Sequence, residues 1–207
     1  QTKGVLVVVS GFSGAGKGTV MKALLNKYDN YALSVSATTR NPRPGEENGR
    51  EYFFLTESQF EDMIKNDELI EHARYVDHYY GTPKKYVEEK MAAGKDVILE
   101  IEIQGALNIK KKFPDALLVF IVPPTAEDLK KRLTGRGTES AEVIEKRLRR
   151  AAEESDGMDS YDYIVVNDDI DTCVEDLHSL IRSSHFKESA NTDLVARMKQ
   201  ELHDMTK

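Results

Sequence analysis

Apolar residues in this chain gather into short unbroken runs, and helical patterning fills the stretches between them. Val5 to Val9 is a continuous run rich in β-branched side chains, Val97 to Ile101 and Leu117 to Val122 repeat that character, and Tyr163 to Val166 adds a fourth. A run without polar alternation predicts a strand buried on both faces, as in a parallel sheet. The segments between carry helix punctuation. Thr56 with Gln59 three residues on makes a capping box ahead of Phe60, Met63 and Ile64. Thr82 and Pro83 read as the N-cap and first residue of another helix, closed by Gly94. Thr125, followed by Glu127 and Asp128, starts a third. Strands alternating with such helices predict βαβ units on a parallel sheet, an α/β fold.

Two segments do not read like that core. Residues 37–80 hold Arg40-Asn41-Pro42-Arg43-Pro44-Gly45 and then aromatic strands without long buried runs. Lys130 to Arg150 concentrates basic residues: Lys130, Lys131, Arg132, Arg136, Lys146, Arg147, Arg149 and Arg150. Across all 207 residues, 29 basic side chains face 36 acidic ones, a net charge of −7. In an acidic chain this local reversal of sign suggests an anionic ligand, with a solvated helix face as the plain alternative. The overall charge argues against broad nucleic-acid binding. No apolar run approaches the roughly 18 residues of a membrane span, and the lone Cys173 fits a reducing compartment, so the expected location is cytoplasmic. Near the end, Leu194, Met198, Leu202 and Met205 line an amphipathic helix over Asp193 to Met205, a pattern compatible with docking or a homo-oligomeric contact.

Gly11-Phe12-Ser13-Gly14-Ala15-Gly16-Lys17-Gly18-Thr19 follows the first strand and precedes the helical Val20 to Tyr28. Glycines let the backbone curl so that several N–H groups converge on phosphate oxygens. The helix N-terminus adds its positive end, and Lys17 supplies a full charge to the terminal phosphates. The segment therefore reads as a phosphate loop. Where the usual pattern has a metal-binding Ser or Thr after the lysine, this chain has Gly18, and the hydroxyl follows on Thr19. That is similar to the Gly-Lys-Gly-Thr variant of adenylate kinases, in which the metal leans on phosphates and waters.

A second phosphate site is suggested by Arg40 and Arg43, three apart on a proline-bearing turn that can clamp one phosphate. Together with Ser36 to Gly45, further segments make the chain resemble the guanylate kinases, P-loop enzymes that phosphorylate GMP with ATP. They are Gly49 to Phe54, Phe60 to Ala73, Tyr79-Tyr80-Gly81-Thr82, Gln104-Gly105, Pro123-Pro124, Arg132 to Gly137 and Val166 to Asp169. The resemblance implies a three-layer P-loop fold with a core of residues 1–35, 83–124 and 160–190. It also implies a GMP-binding insertion at 36–82, a lid at 125–159 and a helical tail at 191–207.

It implies roles as well. ATP is expected at Phe12 to Thr19, with Arg132, Arg136 and Asn167; the GMP phosphate at Arg40, Arg43, Tyr52 and Tyr80, with Ser36 nearby. Glu71 and Thr82 are expected to read guanine, although Thr82 on its own reads as a helix N-cap. A carboxylate and a hydroxyl complement the N1–H, N2–H₂ and O6 of guanine, whereas the N1 lone pair of adenine would meet the carboxylate. The family's Asp-x-Asp is here Glu100-Ile101-Glu102; the first acid is expected to face the phosphates and Mg²⁺ through water, the second the guanine. No direct protein ligand to the metal is expected. Lys17, Arg43, Arg136 and Arg147 are expected to stabilise the transferring phosphoryl group. No general base is needed, since the GMP phosphate is already an anionic nucleophile. The five histidines show no metal-ligand spacing. Rival readings are another nucleoside monophosphate kinase, or a guanylate-kinase-like scaffold that binds phosphopeptides without catalysis.

Overall fold

The computed structural model describes residues 3–135, 137 and 139–207. Five strands, β1 (Leu6–Gly11), β2 (Tyr31–Leu33), β7 (Asp96–Glu100), β8 (Leu117–Val122) and β9 (Tyr163–Val166), form one all-parallel sheet in the order β2-β7-β1-β8-β9. The unbroken apolar runs follow from its two covered faces. Val7 and Val9 of β1 pack toward α1 (Lys17–Lys27) and α7 (Ile170–Ser184), against Met21, Leu24, Val174 and Leu177. Leu6 and Val8 point the other way, toward Val87 of α3 (Lys84–Ala92) and Ile109 of α4 (Ile103–Lys112). Each fully buried side chain of this kind contributes roughly 1.5–3 kcal/mol.

The first strand runs past the apolar stretch, because Ser10 and Gly11 still pair with Phe120 and Ile121. A Cβ on Gly11 would lie 2.8 Å from the Ile121 carbonyl oxygen, so the close approach of β1 and β8 excludes a side chain there.

A second sheet stands beside the first, in the order β4-β3-β6-β5: β3 (Ser36–Thr38), β4 (Tyr52–Phe54), β5 (Leu69–Tyr75) and β6 (His78–Pro83). Its small core is Ala37, Phe60 and Leu69. Phe60 comes from α2 (Glu57–Lys65), which starts with the expected capping box: Thr56 Oγ1 accepts from the Gln59 N–H and Gln59 Oε1 from the Thr56 N–H. Thr82, however, is not an N-cap. It lies within β6 with its hydroxyl turned to Glu71, and α3 starts after Pro83 without a side-chain cap. A buried carboxylate oxygen takes the hydroxyl proton, and the hydroxyl oxygen that could have accepted from the helix N–H groups is drawn away from the helix end. Gly94 does follow the end of α3, with φ 84°.

The basic stretch forms α5 (Ala126–Gly135), whose Asp128 N–H donates to Thr125 Oγ1, and α6 (Ala141–Ser155). Leu129, Leu133, Ile144 and Leu148 join the two helices to each other and to Phe12. The last helix, α8 (Thr192–Met205), leaves Leu194, Met198, Leu202 and Met205 exposed. Among the described residues no helix is long and apolar enough to cross a membrane.

Candidate active site

The glycine-rich loop turns at the carboxyl end of β1. Gly14 and Gly16 hold φ of 89° and 83°, left-handed values that glycine adopts without strain. Both also lack room for a side chain: a Cβ would stand 2.7 Å from Leu133 Cδ2 at Gly14 and 2.6 Å from Asn167 Nδ2 at Gly16. The buried Ala15 carbonyl faces backward and accepts from Asn167 Nδ2 at 2.8 Å and Arg132 Nη1 at 3.3 Å; Arg132 Nη2 donates to the Asn167 carbonyl at 2.7 Å. Arg132 and Asn167 thus clasp the back of the loop and set its curvature. The loop's other side opens on a cavity of about 810 Å³ lined by Phe12, Ser13, Gly14, Gly16, Lys17, Gly18 and Thr19. Glu100 and Glu102 line it from below, Arg147 and Arg150 from α6.

A smaller cavity of about 290 Å³ adjoins it, lined by Ser36, Tyr52, Glu71, Tyr80, Glu102 and Gly105, among others. Cross-strand pairing builds it. Ser36 lies opposite Tyr52, Thr38 opposite Tyr80, and Glu71 opposite Thr82. A register shift between Leu69 and Glu71 re-aims the β5 side chains. Glu71 is only 6% exposed and Thr82 wholly buried. The Thr82 hydroxyl donates to Glu71 Oε1 at 3.0 Å. Burial pushes the Glu71 carboxyl above the ordinary glutamate range, the Thr82 hydrogen bond opposes that, and Glu102 adds to it. A Cβ on Gly105 would lie 3.2 Å from Glu71 Oε2, so the glycine gives the carboxylate its room.

Arg40 and Arg43 stand outside both linings. Arg40 forms a two-pronged pair with Glu46, Nη1 to Oε2 and Nη2 to Oε1 at 3.0 Å each, and lies over the Tyr52 ring. Glu46 also accepts from the Arg43 N–H at 2.8 Å, which closes the turn around the two arginines. These contacts hold the Glu46 carboxyl below its usual range. Arg147 pairs with Glu139 at 2.7 Å. Arg136 lies outside the described residues.

Glu100 ends β7 and Glu102 precedes α4, and both line both cavities, so each faces the phosphate side as well as the base side. Ser10 Oγ donates to the Ile101 carbonyl at 2.6 Å and ties this link to β1. Among the described residues no three His, Cys, Asp or Glu cluster to hold a metal. Glu100 and Thr19 both line the larger cavity, and their oxygens are of the kind that hard divalent cations take. The Cys173 thiol is buried and pushed up to about 11, far from nucleophile chemistry.

Sequence reasoning assigned no individual role to Glu46, Gly105, Tyr75 or Arg150, although Gly105 and Arg150 lie in segments it singled out. Glu46 carried a signal, an acid inside the arginine turn. Gly105 and Tyr75 belong to segments whose partners lie far away in sequence.

The described residues thus combine a parallel-sheet α/β core, a glycine loop at its strand ends, a second small sheet and two helices packed against the loop's Phe12. The guanylate kinase family model matches residues 3–184. The chain is 48% identical over 201 residues to the guanylate kinase of Caldanaerobacter subterraneus subsp. tengcongensis, covering 97% of this chain and 98% of that one. It is 50% identical over 187 residues to that of Lactococcus lactis subsp. lactis, covering 90% and 91%. The crystal structure of guanylate kinase from Anaplasma phagocytophilum matches with a TM-score of 0.72 at 32% identity, covering 90% of this chain and 89% of that one. The chain therefore belongs to the guanylate kinase family, enzymes that transfer a phosphoryl group from ATP to GMP.

Proposed function

We propose that this chain, in the cytoplasm, takes ATP in the larger cavity and GMP in the smaller one, and moves the γ-phosphoryl group between them to give ADP and GDP. The observation that carries this is the buried Glu71, which lines a cavity that shares Glu100 and Glu102 with the glycine loop's cavity and takes a hydrogen bond from Thr82 behind that lining. The division of labour is a core, an insertion over 36–82 and a lid over 125–159.

Glu71 accepts from guanine N1–H and N2–H₂. Adenine there would leave a buried carboxylate against a lone pair, a mismatch that can discriminate by about 10⁴-fold. Ser36, Tyr52, Tyr80, Arg40 and Arg43 take the GMP phosphate. Glu46 takes one N–H of each Arg40 terminal nitrogen and the Asn41 carbonyl takes the other N–H of Nη1, leaving the second N–H of Nη2 for a phosphate oxygen. On the donor side the phosphate loop, Phe12 to Thr19, cradles ATP with its backbone N–H groups. Lys17 reaches the terminal phosphates, while Arg132 and Asn167 keep the loop in shape from behind. Glu100 would hold an Mg²⁺ bound with ATP through water, and that ion would supply charge neutralisation there. Arg147 of the lid, Lys17 and Arg43, together with Arg136 as the family resemblance implies, stabilise charge as it spreads over the transferring group. A GMP phosphate oxygen attacks in line, so catalysis rests on positioning and electrostatics.

The test is ADP release from Mg·ATP with GMP, AMP, UMP or no acceptor. Turnover with GMP alone is expected. Turnover with AMP instead would overturn the assignment of Glu71 and Thr82, and silence with every acceptor in folded protein would sink the catalytic reading.

A further inference from the structure

One cation stands where the two cavities meet. Their linings share Glu100, Ile101, Glu102 and Arg150, and among the described residues Arg150 is the only basic side chain common to both. It lies on α6 three residues beyond Arg147, hence on the same helix face. Its guanidinium leaves the lid and crosses to the insertion. Arg150 Nη1 donates to the Tyr75 hydroxyl, and the guanidinium lies 5.1 Å from the centre of the Tyr75 ring. Arg150 Nε donates to Glu154 Oε1 on its own helix at 2.9 Å, which fixes its direction. Tyr75 is the last residue of β5, at the end of a hairpin whose two connecting residues, Val76 and Asp77, both have positive φ. Two anchors on Arg150 and a tight turn behind Tyr75 make this contact more defined than a solvated ion pair between long side chains.

We propose that Arg150 is a positioning residue that couples the two nucleotide sites. By clasping Tyr75 it holds α6, and with it Arg147, against the sheet that carries Glu71 and Tyr80. A nucleotide that orders one site thereby favours the arrangement required by the other, a coupling of the size usual between linked sites, about 5- to 150-fold. This inference rests on the larger cavity taking ATP and the smaller taking GMP.

The experiment measures GMP affinity by calorimetry, with and without saturating Mg²⁺ and adenylyl imidodiphosphate, a non-hydrolysable ATP analogue. It compares wild type, Arg150→Ala, Tyr75→Ala and the double variant. In wild type the analogue is expected to tighten GMP at least about fivefold. Each single variant is expected to bring that factor close to one, and the double variant to lose no more than either single one. GMP affinity without the analogue is expected to stay within about twofold in Arg150→Ala, and kcat to fall further than the KM for GMP rises. Coupling kept at the wild-type factor in either variant, no coupling in wild type, or additive losses in the double variant would each overturn the latch. So would equal weakening of GMP with and without the analogue in Arg150→Ala. Wild-type protein that binds no GMP at all would instead remove the assignment of the smaller cavity, and the latch with it.

Discussion

To accept from two guanine donors, as proposed, Glu71 has to be ionised, yet it lies where burial favours its neutral form. The Thr82 hydroxyl relieves that conflict by donating to the charged carboxylate. GMP affinity should therefore fall as pH drops through the Glu71 pKa. Because that pKa is raised above the ordinary value of about 4.3, the loss begins at a higher pH than for an exposed glutamate. Thr82→Val removes the donor, raises the pKa further and should move the midpoint to still higher pH. Glu71→Gln should weaken GMP by roughly 30-fold, the equivalent of about 2 kcal/mol for a hydrogen bond to a charged group, and flatten the pH profile. Calorimetric titration of GMP across the acidic range checks both; an unmoved midpoint in Thr82→Val would mean that the hydroxyl does not hold the charge. The glycine loop was legible locally, because a single stretch from Gly11 to Thr19 carries the whole geometry. Thr82 was not. A Thr-Pro pair looks like a helix start from its neighbours alone, and the carboxylate that takes its hydroxyl is eleven residues away.

The strands of the central sheet were readable because burial on both faces leaves unbroken apolar runs. The second sheet was readable only as aromatic strands without long buried runs, since β4 buries no residue fully, β3 and β6 two each and β5 three. Its β5–β6 hairpin shows what short elements hide. Tyr75 pairs with His78 across Val76 and Asp77, which hold φ of 46° and 65°. Two-residue hairpin loops want both central residues left-handed, and Asn and Gly tolerate that best. A β-branched valine there is strained by about 1–3 kcal/mol. Val76→Asn should recover about 1 kcal/mol, raising the Tm by roughly 2–4 °C. A Tm equal to or below that of wild type would mean the strain is absorbed by the neighbouring strands. The run of eight basic residues was equally visible, but helical spacing alone does not say which of its faces meets the cavities. Packing of Leu129, Leu133 and Leu148 around Phe12 settles that, and turns Arg147 and Arg150 inward.

Across the whole molecule, ligand chemistry and cohesion are placed at opposite ends of the same strands. Gly11, Glu100 and Val166 end their strands beside the nucleotide sites, where open α/β sheets bind ligands. Asp96 starts β7, four residues and about 13 Å away along the strand. It is 3% exposed and accepts from the Val5 N–H at 2.8 Å, Asn30 Nδ2 at 3.3 Å and His185 Nε2 at 3.0 Å. The start of β1, the approach to β2 and the end of α7 are thereby tied to one carboxylate. No local pattern announces this clasp, because its partners lie 66, 89 and 91 residues from Asp96. Asp96→Ala leaves a part-buried backbone N–H and a part-buried imidazole without their acceptor, at a cost of about 2–4 kcal/mol. The Tm should drop by roughly 5–15 °C, while the KM for GMP and for ATP measured well below that Tm should stay within about twofold of wild type. An unchanged Tm would show that water replaces the carboxylate at no cost. A preserved Tm with an altered KM would mean that the amino end of the sheet communicates with the sites. The expected outcome, lower stability with intact binding, follows from the sheet between them: five hydrogen-bonded strands fix the geometry at their carboxyl ends for as long as the fold persists.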